Sequence, residues 1–259
     1  MILIKIGGSV ITQKNEPFTP NLKNLYALAR TIAEYWGNGG SKTMCIIHGG
    51  GSFAHVVASQ YASRTTSNRR GISLITWSAR KLNDRVVESL IDFDLPAFPL
   101  QTSSLFFVSG GKPKMHTRVV REILEGGWIP VLYGDIVVGD GEAQILSGEK
   151  IIEALSEEFD IEKIIVCTDT PGVLVDRNKP EKGIFKSVNP QNIQSVMKTL
   201  GASSGIDVTG GMKQKVETLY RIATRKGISS VIIDGTNPKT LGNCLTNQNA
   251  VGTFIEGTS

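Results

Sequence analysis

The sequence predicts an α/β fold, a mainly parallel sheet covered on both faces by helices, and three observations predict it. Apolar runs of strand length alternate along the chain with longer stretches whose apolar residues recur at helical spacing. Two such runs before residue 60 end abruptly in glycines, as strands do in open α/β sheets that hold ligands at their carboxyl ends. Two pairs of short runs flanking glycines in the middle of the chain read as hairpins, antiparallel additions to the parallel sheet.

The elements follow in order. Ile2 to Ile6 is β-rich and reads as a central strand, ended at once by Gly7-Gly8-Ser9; Lys14 follows in a polar loop containing Pro17 and Pro20. Asn21 to Trp36 reads as a helix with Leu22, Leu25, Leu28, Ala29 and Ile32 on one stripe, stopped by the glycines after it. Met44 to Ile47 is a buried strand running into His48-Gly49-Gly50-Gly51-Ser52, and Ser52 to Ala62 reads as helix. Arg64 to Arg70 is polar and expected to be mobile. A long helix is expected from about Ile72 to Phe93, with Trp77, Leu82, Val86, Leu90 and Ile91 as its buried stripe. Ala97 to Gln101 is the next strand. Leu105 to Val108 with Lys112 to Met115, and Asp135 to Val138 with Ala143 to Leu146, are the hairpins. Between them lie a helix that Thr117 would cap, running to Leu124, and a buried strand over Ile129 to Tyr133. Ser147 to Phe159, Pro190 to Leu200 and Thr209 to Gly227 read as helices; Lys163 to Thr168, Ser230 to Ile233 and Gly252 to Ile255 read as strands, with a turn over Asp234 to Pro238. A soft boundary falls near residues 155 to 165.

With 259 residues, 40% of them hydrophobic, the chain can bury a sizeable core. Its net charge of +4 is mild and dispersed, which argues against nucleic acid or a membrane surface as partner and suits a small anionic ligand. Three widely spaced cysteines, Cys45, Cys167 and Cys244, form neither a disulfide framework nor a zinc site, so a cytoplasmic protein is expected. No apolar run reaches membrane-spanning length.

Four polar clusters fall at expected strand ends or helix starts: Lys5 to Ser9 with Lys14, the loop from His48 to His55, Thr168-Asp169, and Asp207 to Lys215. Glycine-rich turns present backbone N–H groups to phosphate oxygens, and lysines neutralise charge on a phosphoryl group in transit. Lys5 is out of place in so apolar a run, which singles it out. Lys213 and Lys215 oppose the dipole near a helix N-terminus, a cost that a bound anion offsets. His55, three residues after Ser52, can face the space over the glycine turn; His48, at the end of a buried strand, reads as structural and His116 as surface. The signatures G-x-x-x-x-G-K-[ST] and G-x-G-x-x-G are absent, as are a metal-ligand cluster and the spacing of a nucleophile elbow.

In this order Lys5-Ile6-Gly7-Gly8-Ser9, Gly49 to His55, Tyr133-Gly134-Asp135, Thr168-Asp169 with Gly172-Val173, and Asp207 to Lys215 resemble the amino-acid kinase superfamily, and within it the isopentenyl phosphate kinases of the archaeal mevalonate pathway. The loop Gly49 to His55 is the sharpest part of the match, and the likeness runs through nearly the whole chain. It implies an open αβα sandwich of two lobes, about 1–160 for the substrate and about 161–259 for the nucleotide, and a homodimer. The implied reaction is phosphoryl transfer from ATP, with Mg²⁺, to isopentenyl phosphate. Carried over, His55, Gly50 and Gly148 would hold the substrate phosphate. Lys5, Ile6, Gly7, Gly8, Ser9, Gly51, Asp169, Gly211 and Lys215 would hold ATP, and Lys14 would act with Lys5 and His55 in catalysis. The chain departs from the family pattern at Ser147-Gly148-Glu149-Lys150, usually Ser-Gly-Asp-Asp, and at Pro171, usually acidic. A fosfomycin-type phosphonate kinase ranks second, on the shared glycine–histidine loop and the tract Ala97 to Gln101. A carboxylate kinase and a non-catalytic nucleotide or phosphate sensor are further alternatives. An apolar pocket for the acceptor's tail is expected near the His48 loop, drawn from Ile72, Ile75, Ala79, Leu82 and Val86, at least half of which are expected to be ordinary core.

Overall fold

The structure, a computed structural model, describes residues 1–54, 69–202 and 211–257. Strand β1 (Ile2–Ile6) leads into a single helical turn, α1 (Gly8–Ile11), then α2 (Leu22–Gly37) and β2 (Met44–His48). Gly51 to Ala54 are helical, and the chain resumes with the long helix α3 (Arg69–Ile91). Next come β3 (Ala97–Pro99), α4 (Thr102–Leu105), the hairpin β4 (Phe106–Ser109) with β5 (Lys112–Met115), α5 (Thr117–Glu125) and β6 (Ile129–Tyr133). A second hairpin, β7 (Asp135–Gly139) with β8 (Glu142–Leu146), precedes α6 (Gly148–Glu158) and β9 (Lys163–Thr168). The chain then runs through β10 (Ser187–Val188), α7 (Ile193–Ala202), α8 (Gly211–Lys226), β11 (Ser230–Asp234), α9 (Pro238–Leu245) and β12 (Gly252–Ile255).

Eight strands form one sheet in the order β10-β12-β11-β9-β1-β2-β6-β3. Its pairings are parallel except that of β11 with β12. The alternation of side chains across the pleat makes the sandwich. In β1, β2 and β9, Leu3, Cys45, Ile47, Ile164 and Val166 join a core under α5, α6, α7 and α8. Ile2, Ile4, Ile6, Met44, Ile46, Ile165 and Cys167 point the other way, into a core under α1, α2, α3 and α9. Such doubly buried strands read as continuous apolar runs, which is why they were recognisable.

The differences from expectation have local causes. Trp77 and Ile91 lie on the exposed side of α3; Lys81 covers the Trp77 indole at 3.9 Å, so the ring is shielded by a cation and not by the core. Leu22, in the first turn of α2, is likewise exposed, whereas Leu25, Leu28, Ala29 and Ile32 are buried as expected. His116, not Thr117, occupies the N-cap of α5, and no side chain caps that end. The strand expected over Ala97 to Gln101 stops at Pro99, since Gln101 starts the turn of α4. The helix expected from Pro190 begins at Ile193. The turn expected after Asp234 forms at Gly235-Thr236, but it leads into an unexpected helix, α9, with the Asn237 side chain accepting from Lys239 N and Pro238 at the first helical position. The helix expected over Ser52 to Ala62 and the stretch Arg64 to Arg70 lie largely outside the described residues; Arg69 and Arg70 open α3.

Candidate active site

β1 sits where the strand order reverses, with β2 on one side and β9 on the other. In open α/β sheets the crevice for a ligand lies outside the carboxyl end of such a strand. Here the loops after β1, β2 and β9 are bound to one another. Gly49 N–H donates to Ile6 O at 2.9 Å, Gly7 N–H to Cys167 O at 2.8 Å and Gly134 N–H to His48 O at 3.0 Å. Gly8 and Gly51 touch backbone to backbone, closely enough that a Cβ on Gly8 would overlap the Gly51 amide; only glycine allows that approach. Thr12 fastens the two loops, its hydroxyl donating to Gly8 O at 2.8 Å and accepting from Ser52 N–H at 2.9 Å. The N–H groups of Gly8, Ser9, Gly50 and Gly51 have no partner among the described residues. This is a nest of donors suited to an anion.

Lys5 follows Leu3 on the α6/α8 side of β1 and is buried between Ile47 and Val166 of the neighbouring strands. Its ammonium meets Glu149 Oε1 at 2.8 Å, and Lys215, one turn into α8, meets the same oxygen at 2.9 Å. Glu149 is placed by α6, whose first turn is capped by the Ser147 hydroxyl accepting from Lys150 N–H. Gly148 lets the Lys5 stem pass: a Cβ there would lie 3.1 Å from Lys5 Cε. Burial pushes the Glu149 carboxyl up, but the ammonium groups of Lys5 and Lys215 overcome this and hold it well below the usual carboxylate range. Burial, then the facing Lys215 charge, lower Lys5 to about 8 against the pull of Glu149. The triad carries a net positive charge near the carboxyl end of β1.

Lys14 lies farther out. It pairs with Asp169, at the end of β9, which also accepts from the Ser9 hydroxyl at 3.0 Å. Burial raises the Asp169 carboxyl, and Lys14 and Ser9 bring it below its ordinary value. A polar cavity of about 360 Å³ opens here, between Ser9, Thr12, Lys14, Asn24 and Thr236. On the other side, Ile72, Ile136, Ala143, Gln144, Ile145 and Lys150 line a mostly apolar cavity of about 300 Å³. Of the five residues expected to line a tail pocket, Ile72 does so, while Ile75, Ala79, Leu82 and Val86 are buried core.

The structure thus gathers Lys5, Ile6, Gly7, Gly8, Ser9, Lys14, Gly50, Gly51, Gly148, Asp169 and Lys215 around one crevice, with Gly211 opening the helix that carries Lys215. His55, and Asp207 to Gly210, lie outside the described residues. Sequence reasoning did not assign Glu149 a role, although its charge beside the capping Ser147 was visible. It also missed Thr12, and it read His48 as structural without its partner Asn83: His48 Nε2 lies 3.1 Å from Asn83 Oδ1 and Nδ1 lies 3.0 Å from Gly49 O.

Comparison with known proteins agrees with this geometry. The model of the amino acid kinase family matches residues 1–234. An isopentenyl phosphate kinase of Methanocaldococcus jannaschii is 34% identical over 85% of this chain and 87% of its own. Another, of Methanothermobacter thermautotrophicus, is 30% identical over 99% of both chains. A crystallographic isopentenyl phosphate kinase superposes with a TM-score of 0.81 at 28% identity, over 98% of this chain and all of the other. The chain belongs to the amino acid kinase family and, within it, to the isopentenyl phosphate kinases.

Proposed function

We propose that this protein transfers the γ-phosphoryl group of ATP directly to isopentenyl phosphate, giving ADP and isopentenyl diphosphate. The observation that supports it most is the convergence of two buried lysines on one carboxylate beneath interlocked glycine loops with free N–H groups. Such a site makes strong provision for phosphate charge, and the acceptor oxygen belongs to the substrate.

In this reading the amides of Gly8, Ser9, Gly51 and Gly211, with Lys5 and Lys215, hold the phosphates of ATP against the carboxyl end of β1, while Ile6 and Gly7, whose own N–H is given to Cys167 O, set the height of that loop. Asp169 orders Ser9 and Lys14 beside them. Gly50, Gly148 and His55 take the phosphate of the acceptor, whose apolar tail enters the cavity at Ile72, Ile136 and Ile145. A phosphate oxygen of the acceptor bonds to the γ-phosphorus as the bond to the β-phosphate oxygen breaks, and the electron pair leaves with ADP. Lys14 follows the group in transit, while Lys5 and Lys215 neutralise charge that accumulates on the leaving side. Mg²⁺, when bound with the nucleotide, would supply charge neutralisation of the phosphates. The acidic groups nearby, Glu149 and Asp169, are engaged by lysines, and the described residues hold no cluster of three metal-binding side chains, so the nucleotide's own oxygens would be its main ligands. Residues to about 160 would form the acceptor lobe and the remainder the nucleotide lobe, with the glycine loops after β1 and β2 reaching the ATP phosphates from the first. A homodimer in the cytoplasm completes the reading; three buried free thiols suit a reducing compartment, and no helix among the described residues is long and apolar enough to cross a membrane.

Initial rates with isopentenyl phosphate, dimethylallyl phosphate and fosfomycin, side by side, test this. The expected order places isopentenyl phosphate first. His55→Ala is expected to abolish its turnover with the circular dichroism spectrum unchanged; normal turnover by that variant, or a preference for fosfomycin, would overturn the assignment.

A further inference from the structure

The buried pair His48–Asn83 has a consequence for the glycine loop. His48 ends β2 and is almost wholly enclosed, its ring stacked on Tyr133 with centroids 5.4 Å apart and planes 19° apart. Tyr133 is fixed in turn: its hydroxyl donates to Gln101 Oε1 at 2.7 Å, and the Gln101 amide donates to the buried Asp135 at 3.1 Å. The imidazole therefore has one orientation. Nδ1 lies 3.0 Å from Gly49 O, an acceptor only. Nε2 lies 3.1 Å from Asn83 Oδ1, so a ring that burial keeps neutral has one N–H for two facing oxygens. The Gly49 carbonyl, part of the backbone, can only accept, whereas the Asn83 carboxamide can turn over to present its NH2. The arrangement that satisfies both nitrogens is Nδ1–H to Gly49 O with Asn83 donating to Nε2.

A trans peptide is planar, with its carbonyl and its N–H on opposite sides. The bond to Gly49 O consequently fixes the direction of the next N–H, that of Gly50, which points away from the imidazole and is unpaired among the described residues. The neighbouring peptides are tied down by Gly49 N–H to Ile6 O and by Phe53 and Ala54 N–H to Gly50 O, but glycine on both sides lets this peptide turn between them, and the His48 ring is the side chain bonded to it. We infer that His48, held in its Nδ1–H tautomer by Asn83, is a positioning residue that turns the Gly50 amide toward the phosphoryl acceptor. It touches neither substrate nor nucleotide. The inference rests on the proposed placement of the acceptor phosphate at Gly50.

Two variants and one spectroscopic measurement test it. His48→Leu removes the Nδ1–H donor at similar volume; His48→Asn puts an amide N–H close to the same place. His48→Leu is expected to lower kcat/KM for isopentenyl phosphate by about tenfold to a hundredfold, the worth of one well-aimed hydrogen bond to a charged group. The KM for ATP should stay within about twofold, and His48→Asn should restore most of the loss. Imidazole ¹⁵N shifts of the unliganded protein at neutral pH should show the Nδ1–H tautomer, whatever the enzyme turns out to phosphorylate. An Nε2–H tautomer would overturn the inference, as would equal defects in the Leu and Asn variants that follow their melting temperatures. Wild-type protein that phosphorylates only some other phosphate or phosphonate would overturn the choice of acceptor instead, and the two variants would then be compared on that substrate.

Discussion

Two lysine–carboxylate contacts flank the crevice, and they differ in almost everything except composition. At the inner one, Lys5 and Lys215 share Glu149, and all three side chains are nearly buried, at 7%, 12% and 13% exposure. At the outer one, Lys14 meets Asp169 with the lysine side chain 65% exposed. The inner contact rests on a strand and two helices; the outer rests on a loop after α1 and the end of β9. Charges removed from water interact strongly and are costly to leave alone, whereas an exposed pair is worth about 0–1 kcal/mol and breaks readily. In the proposed reaction the inner cluster would be a fixed charge against which phosphates are laid, already organised by Glu149 before they arrive. The outer lysine is a loosely held charge that, in the same proposal, would leave Asp169 and accompany the moving group.

The largest break in this comparison should come from the inner carboxylate. Glu149→Gln leaves two ammonium groups facing each other out of water, and removal of one member of a buried ionic cluster costs about 3–5 kcal/mol. Urea unfolding should show that loss, with turnover falling as Lys5 and Lys215 move apart. The matching outer change, Asp169→Asn, should cost about 1 kcal/mol or less. Equal losses at the two positions would erase the distinction.

Next in size is Lys14→Ala. A cation that acts only as charge shifts onto the moving phosphoryl group is expected to be worth about a hundredfold to a thousandfold in kcat. Because its ground-state pair is exposed, the same change should leave the unfolding free energy within about 1 kcal/mol and the KM for ATP within a few-fold. A raised KM with kcat intact would place Lys14 in nucleotide binding instead.

How much of this was legible beforehand divides along the same line. Lys5 stood out because a cation in an apolar strand is anomalous, and the strands were readable because both faces of the sheet are covered. The sandwich and the position of the glycine loops follow from that. Glu149 was visible only as a departure from a family pattern, since its meaning lies in contacts across 144 residues to Lys5 and 66 to Lys215 that no local spacing encodes. The opposed dipole at Lys215 was read as calling for an anionic ligand, and the protein supplies part of that anion itself. The helix Pro238–Leu245 had its signals, Asn237 and Pro238, but a cap followed by two turns is hard to tell from a turn alone. Trp77 and Ile91 show the limit of periodicity: on a 23-residue helix, apolar residues at near-helical spacing extend beyond the width of the buried stripe.

The finest test of the inner cluster is its response to pH. Lys5 titrates in the folded protein near 8, below its ordinary value of 10.5, so its ammonium form is complete at pH 6 and is lost as pH rises through 8. The charged form is the one that attracts phosphate. With unliganded enzyme, kcat/KM for ATP should therefore fall on the alkaline side, by about tenfold per pH unit once past the midpoint, since that parameter reports the free enzyme. Bound nucleotide adds negative charge beside Lys5 and favours its proton, so the alkaline limb of kcat should lie at higher pH than that of kcat/KM. Lys5→Arg keeps its charge throughout this range and should lose the limb even where its absolute rate is lower, because a guanidinium does not titrate there. An unchanged alkaline limb in the arginine variant would assign the titration elsewhere and leave Glu149 balancing two lysines that both stay charged.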